Sequence, residues 1–163
     1  MSARILERLR ERFGEAVLDT HSFRGDDTAV VAAARILEVA EFLRDEPSIR
    51  LDMPVDLTVV DWLAAGREPR FEVVYHFYST VHKHRLRIKC PLPQAAPSIA
   101  SVYPVYPGLR WFEREAWDLF GVEFEGHPDL RRMFLPESFV GHPLRKDYPK
   151  DKRQPLSRRE GMC

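Results

Sequence analysis

Two segments in the middle of the chain constrain its fold most strongly, because their side chains alternate in character. Residues 71–79 (FEVVYHFYS) alternate large apolar residues with a mixed set, and residues 85–90 (RLRIKC) alternate apolar with basic residues. Such alternation is typical of antiparallel strands whose sheet has one buried and one solvated face. Weaker strand patterns occur at residues 15–23, 28–31 and 56–62. The sequence therefore predicts an antiparallel sheet.

Three further segments place apolar residues at the spacing of an amphipathic helix. They are residues 2–13, 33–44 and 109–120. Gly14 and Gly121 follow the first and the third of these segments, where helices commonly end in a left-handed residue. Because a helix with one apolar stripe needs another element to cover it, we expect an α+β fold. In this fold the antiparallel sheet packs against two or more helices.

Composition excludes several classes of protein. The 163 residues include 25 basic and 25 acidic side chains, so a net charge of zero argues against indiscriminate binding to nucleic acid. The longest apolar run is residues 29–34, far short of the roughly 20 residues that a membrane span needs. Without an apolar signal segment at its start, the chain is expected in the cytosol. The two cysteines form no CxxC pair, which excludes a four-thiolate zinc or iron–sulfur site built by this chain alone.

The last quarter of the chain differs from the rest, because residues 122–163 show neither the alternation of a strand nor the apolar spacing of an amphipathic helix. The segment contains five prolines, and its final part, residues 143–163, carries seven basic against three acidic side chains. A segment without an apolar face buries too little of its own surface to offset the entropy of ordering. We predict a globular domain at 1–121 and, at 122–163, an extended proline-rich arm that docks on a partner. The alternative is a tail that folds back on the sheet.

The densest run of distinctive residues lies at 113–132 (EREAWDLFGVEFEGHPDLRR), and it is followed by GHPLRKDYP at 141–149. Together with the strand pair FEVVYHFYST and RLRIKC, these motifs closely resemble the C subunit family of bacterial NADH–quinone oxidoreductase (respiratory complex I), also called the thirty-kilodalton subunit family. The resemblance spans residues 56–149. A mild departure is Phe134, which stands where the family usually has an aliphatic residue.

The resemblance implies a subunit without a cofactor in the hydrophilic part of a proton-translocating complex. FMN, iron–sulfur clusters and quinone then belong to partner subunits, which are the D subunit (forty-nine-kilodalton type), the B subunit and the I subunit. The enzymatic activity belongs to the assembly, and this chain alone is expected to be non-catalytic. It is attached to the cytoplasmic side of the cell inner membrane only through the complex. A related energy-converting hydrogenase or another quinone-reducing dehydrogenase complex is the alternative.

The candidate site residues fall into two groups, and none is expected to be catalytic or to bind a cofactor or metal. Arginine and tyrosine are frequent interface anchors, so a basic and aromatic set of the arm is predicted to contact a partner. This set comprises Asp129, Arg131, Arg132, Arg145, Lys146, Asp147 and Tyr148. A structural role is predicted for Glu113, Arg114, Asp118, Gly121 and His127.

Specific pairings follow from the spacing of these residues. Arg114 and Asp118 are four residues apart on a predicted helix, so they are expected to form an ion pair. Asp129 follows a proline and is expected to hold its turn by accepting hydrogen bonds from backbone amides.

Other classes of function depend on the histidines and on the basic end of the chain. His127 and Asp129 could form the histidine–carboxylate pair of a free-standing hydrolase, although no nucleophile accompanies them. His82 and His84 are expected to belong to a solvated turn, since a third metal ligand is missing from their neighbourhood. A pure binding module, or contact between the basic residues and anionic lipid, is a further alternative.

Overall fold

The computed structural model describes residues 3–152 and residue 154. The predicted α+β class is confirmed: a five-stranded sheet carries helices on one face. The last residues of the predicted arm, 153 and 155–163, lie outside the described part of the chain. The main elements in chain order are α1 (Ala3–Phe13), β1 (Val17–Phe23), β2 (Asp26–Val31), α2 (Ile36–Asp45), β3 (Met53–Asp61), β4 (Phe71–Tyr78), β5 (Arg85–Leu92), β6 (Ser98–Ala100), α3 (Arg110–Phe120) and β7 (Glu123–Glu125).

The main sheet has the strand order β1-β2-β5-β4-β3. Three of its four neighbouring pairs are antiparallel, as predicted, but β2 and β5 run parallel, with Thr28–Val30 opposite Arg87–Lys89. The chain leaves β2, passes through α2 and then builds β3 and β4 before it returns beside β2. This long crossover permits parallel pairing, which a short turn does not. The sheet is therefore mixed rather than wholly antiparallel.

The strand alternation places one set of side chains in the core. Phe71, Tyr75 and Phe77 of β4 are fully buried, and so are Leu86 and Ile88 of β5. The apolar stripes of all three helices join the same core cluster, which includes Leu9, Ile36, Leu43 and Ala116. Gly121 ends α3 in the left-handed conformation, with φ of +72°, as its position predicted.

The sequence pattern did not predict a second, two-stranded sheet, which the structure contains. Its strands, β6 and β7, are three residues each and pair in parallel, and Phe124 of β7 is buried. This sheet attaches the first residues of the C-terminal arm (residues 122–163) to the globular part. Within the described residues, no helix is long and apolar enough to cross a membrane.

Candidate functional site

The predicted site residues lie on α3 and on the C-terminal arm that follows it, and the described part of the arm contacts the chain's own globular part. Docking of the arm on a partner stays a prediction. Three groups of contacts attach the arm. They centre on Asp118 at the end of α3, on Asp129 beside the start of α3, and on Arg70 at the start of β4.

Asp118 is the organising residue of the first group. Its fully buried carboxylate accepts hydrogen bonds from the backbone amides of Met133 (2.9 Å), Phe134 (2.8 Å) and Leu135 (3.1 Å), all through Oδ2. Its Oδ1 accepts a hydrogen bond from Nη1 of Arg132 at 2.7 Å. Burial by itself would raise the pKa of the Asp118 carboxyl, but these donors outweigh burial and hold the pKa below its usual value.

Arg132 extends this network along the arm. Its Nη2 donates to the carbonyl oxygens of Phe139 (2.8 Å) and Gly141 (3.0 Å). Its guanidinium lies 5.8 Å from the ring centroid of Trp117 and 5.6 Å from that of Phe139. Because one guanidinium contacts both α3 and residues 139–141, it fixes the shape of the loop between them.

The predicted pairing of Arg114 with Asp118 is wrong. Arg114 instead donates through Nε to the carbonyl of Arg131 at 3.1 Å and through Nη2 to the carbonyl of Arg132 at 3.0 Å. The buried carboxylate of Asp118 is already taken by the loop amides and Arg132. Helical spacing brings two side chains near each other, yet the loop that packs over them supplies better-aligned partners for both.

Asp129 also differs from its expected role, since its carboxylate binds arginines and accepts no hydrogen bond from a backbone amide of the described residues. Its oxygens lie 3.2 Å from Nη2 of Arg110, 3.6 Å from Nη1 of Arg114 and 2.9 Å from Nε of Arg131. Desolvation by itself would raise the pKa of Asp129, but the arginines outweigh this effect and lower the pKa below its usual value.

His127 and Glu113 form a buried polar pair beneath this cluster. The backbone amide of Asp129 donates to Nδ1 of His127 (3.0 Å), and Nε2 lies 3.0 Å from the carbonyl oxygen of Arg110, so a neutral ring with the proton on Nε2 satisfies both contacts. Since the imidazole contacts the amide of Asp129 and not its carboxylate, the histidine–carboxylate pair of the hydrolase hypothesis is not formed.

Glu113 accepts hydrogen bonds from the hydroxyl of Ser101 (2.5 Å) and the amide of Val102 (2.8 Å), and it is completely buried. Burial raises the pKa of Glu113 to about 7, although these two donors act in the opposite direction. His127 Nε2 lies 4.0 Å from its carboxylate. The carboxyl therefore joins α3 to residues 101–102.

Gly121 allows the arm to lie against the end of α3. A Cβ atom at this position would stand 2.5 Å from the His142 ring and 2.6 Å from Nη2 of Arg145. Arg145 donates to the carbonyl oxygens of Phe120 and Gly121. Its guanidinium also lies 5.2 Å from the ring centroid of Phe71. Burial and the nearby Arg70 lower the pKa of Arg145.

The third group contains two residues that were not predicted, Asp61 of β3 and Arg70. Arg70 donates through Nε and Nη2 to Asp61 (2.9 and 2.8 Å) and through Nη1 and Nη2 to Asp147 (3.0 and 2.9 Å). Asp61 also accepts a hydrogen bond from the backbone amide of Lys146 at 2.8 Å. Burial would raise the pKa of Asp61, but these donors lower it to about 2. The sequence did contain a signal for Asp61, because alternation placed it on the same face as Leu57 and Val59. A carboxylate on a buried face needs a hydrogen-bond donor or a cation as its partner.

The remaining predicted residues are more exposed. The side chain of Lys146 is exposed, and Tyr148 stacks on Phe139 with ring centroids 6.0 Å apart. His82 and His84 each place Nε2 within hydrogen-bond distance of a carbonyl, that of Pro47 and that of Ile49. Among the described residues, no group of three or more potential ligands could hold a metal ion.

Comparison with known proteins gives a consistent result. Residues 29–154 match the family described as respiratory-chain NADH dehydrogenase, 30 Kd subunit. The C subunit of the NADH-quinone oxidoreductase of Roseiflexus sp. (strain RS-1) is 46% identical over 148 residues, covering 91% of this chain and 84% of the relative. The protein of the same name from Geobacter sulfurreducens is 44% identical over 146 residues, covering 90% and 88%.

Two solved structures have a similar fold. The trypsin-resistant fragment (1-134) of Nqo5 matches with a TM-score of 0.67 and 26% identity, covering 78% of this chain and 98% of that one. A chain of the membrane-bound sulfane sulfur reductase, an archaeal respiratory membrane complex, matches with a TM-score of 0.73 and 24% identity, covering 91% and 86%. At the latter identity the similarity shows the fold alone.

Proposed function

The chain belongs to the thirty-kilodalton subunit family of respiratory-chain NADH dehydrogenases, and we propose that it serves as the C subunit of an NADH–quinone oxidoreductase. The observation that carries this proposal is the 46% identity to such a C subunit over 91% of the chain. The match extends over 84% of that relative, so it is not confined to one motif.

Within the complex, the role of the chain is structural and the chain itself is non-catalytic. The contacts of its charged residues support this role. Asp118, Arg132 and Arg114 direct their hydrogen bonds to backbone groups of the loop after α3, and Arg70 joins β3 to the arm. Groups that are satisfied in this way stabilise a defined surface rather than bind a reacting molecule.

The proposed partners are the D, B and I subunits, with FMN, iron–sulfur clusters and quinone bound by partner subunits and not by this chain. The complex transfers electrons from NADH to quinone and translocates protons, and this chain lies on the cytoplasmic side of the inner membrane. Docking through the C-terminal arm is supported by three large apolar side chains that its described part exposes to solvent. They are Phe134 (62% exposed), Val140 (67%) and Leu144 (47%).

Affinity purification from the native host tests this function. A tagged full-length chain is expected to retain the other subunits and an NADH-dependent quinone reductase activity, whereas the chain purified alone has no such activity. Retention of the chain in a complex that lacks NADH oxidation would contradict the proposal. Limited proteolysis adds a second test, because residues 123–152 are expected to become more protected when the D subunit is present.

The alternative is the equivalent subunit of a related energy-converting hydrogenase or another quinone-reducing complex. The similarity in fold to a chain of the archaeal sulfane sulfur reductase complex motivates this alternative. The same purification separates the two, because hydrogenase subunits would then be retained in place of an NADH-oxidising module.

A further inference from the structure

The start of α3 and the loop that crosses it bring three arginines to one carboxylate. Arg110, Arg114 and Arg131 all lie within 4.0 Å of Asp129, and among the described residues no other carboxylate lies within that distance of them. Glu115, a partly exposed acidic neighbour on α3, makes no ion pair within the described part of the chain. With three guanidinium groups and one carboxylate, the cluster of Arg110, Arg114, Arg131 and Asp129 carries more positive than negative charge.

The arginines of this cluster retain capacity to bind a further acidic group. Arg131 pairs with Asp129 through Nε at 2.9 Å, and its side chain is 68% exposed. Its Nη atoms donate no hydrogen bond among the described residues. Arg110 donates to Asp129 through Nη2, and because its side chain is 34% exposed it adds positive charge to the same surface. Guanidinium groups bind carboxylates in pairs of parallel hydrogen bonds, which a single shared carboxylate cannot supply to all three.

An exposed aromatic ring lies against the same cluster. Trp111 is 55% exposed, and the guanidinium carbons of Arg110 and Arg114 lie 5.6 and 5.2 Å from its ring centroid. Large aromatic residues and arginines are enriched at the centres of protein interfaces, from which water is excluded. An exposed tryptophan on a helix that is otherwise packed has no role in the core of this chain.

We propose that Trp111, Arg110 and Arg131 form a docking surface for an acidic segment of another subunit of the complex. A carboxylate of that segment binds the unoccupied nitrogens of Arg131, and Arg110 adds positive charge beside it. An apolar side chain next to it packs on Trp111. The proposal rests on the proposed function and specifies the chemistry of one contact within it.

The test uses the full-length chain co-expressed with the other hydrophilic subunits of the same NADH–quinone oxidoreductase. The variants are Arg131→Glu, which reverses one charge, and Trp111→Ala, which leaves every ion pair in place. Arg10→Glu is the matched control, because Arg10 is an exposed arginine of α1 without an ion pair among the described residues. Each free variant is first checked by thermal unfolding, where a shift within about 3 °C is expected for exposed positions.

Both surface variants are expected to reduce incorporation into the complex at least about tenfold, and Arg10→Glu is expected to match the wild type. Raising the salt from about 0.05 M to about 0.5 M should weaken the wild type more than Arg131→Glu, since screening acts on the contact that this variant lacks. Wild-type incorporation by both surface variants overturns the docking surface but leaves the proposed function intact. Failure of the wild-type chain itself to join the complex overturns the proposed function and the surface with it.

A photocrosslinker identifies the occupant. Trp111→p-benzoylphenylalanine in the assembled complex is expected to crosslink to a segment of another subunit that contains aspartate or glutamate beside an apolar residue. Crosslinks to lipid, to a basic segment or to nothing would contradict the proposal.

Discussion

Asp118 and Arg132 lie fourteen residues apart in the sequence, yet Oδ1 of Asp118 accepts a hydrogen bond from Nη1 of Arg132 at 2.7 Å, in a site where the carboxylate is fully buried. The same carboxylate binds three consecutive backbone amides of the loop. One side chain of α3 therefore holds the first part of the C-terminal arm.

Asp118→Asn removes the negative charge that Arg132 faces in a buried site. Breaking a buried ion pair by removing one partner costs about 3 kcal/mol or more, because the remaining charge is left uncompensated. For a chain of this size, we expect the melting temperature to fall by about 6 to 12 °C. Asp45→Asn is the control, because Asp45 pairs with Arg44 on the surface and should change stability by less than about 1 kcal/mol. Equal shifts in the two variants would argue against the role of Asp118.

Gly121→Ala tests the contact between the end of α3 and the arm. Gly66 has nearly the same left-handed backbone, with φ of +62° against +72°, but a Cβ atom there would meet nothing within 4 Å, whereas His142 and Arg145 crowd the same position at Gly121. Gly66→Ala should therefore cost only the backbone strain, about 1 kcal/mol. Gly121→Ala should cost clearly more in urea unfolding and should increase hydrogen exchange at residues 142–145. Identical free energies of unfolding for the two variants would show that the arm does not pack there.

Arg70→Lys retains the positive charge but not the planar fork that binds Asp61 and Asp147 together. We expect residues 145–148 to exchange amide hydrogens faster in this variant, because the link from Arg70 to Asp147 is lost. Arg67→Lys is the control, since the Arg67 guanidinium stacks on Trp62, 4.2 Å from the ring centroid, and forms no ion pair among the described residues. Unchanged exchange at 145–148 in Arg70→Lys would mean that other contacts hold this part of the arm.

Glu113 is expected to make stability depend on pH. Its pKa is raised by burial to about 7 in the folded chain, against a usual value of 4.5. The unfolded state therefore releases this proton at lower pH than the folded state, and the contribution of Glu113 to stability declines as the pH rises from about 4.5 to about 7. Asp61, with a pKa of about 2, changes stability only at lower pH.

Glu113→Gln resembles the protonated carboxyl and cannot ionise. We expect urea unfolding to show the variant gaining stability relative to the wild type on going from pH 5 to pH 8, by an amount on the order of 2 kcal/mol. A constant difference between the two proteins across this range would contradict the raised pKa.

Local pattern accounted for most of the secondary structure. Alternation at residues 71–79 and 85–90 predicted β4 and β5, which span Phe71–Tyr78 and Arg85–Leu92, and helical spacing predicted α3 with its end at Gly121. The short strands β6 and β7 were missed, because three residues are too few to show a period. The parallel pairing of β2 with β5 was missed for a different reason: alternation identifies a strand but not the direction of its neighbour.

For the candidate site, the sequence predicted the region but not the ion pairs within it. The motif at 113–132 indicated the region in which Asp118 and Gly121 make their contacts with the loop and the arm. Contact of the arm residues with a partner stays a prediction. The ion pairs within the chain could not be assigned from spacing, because Arg114 and Asp118 each had several acceptors or donors within reach once the loop was in place.

By itself, the sequence determined where α1, α2, α3 and the five strands of the main sheet form, since these depend on neighbours within a few residues, and its motifs indicated the family. Only the tertiary structure decided which partners the charged side chains bind. Arg70 reaches Asp147 across 77 residues, and Lys146 donates its amide to Asp61 across 85. Such contacts depend on how the sheet and α3 bring distant segments together, and buried charges take the partners that this packing places nearest.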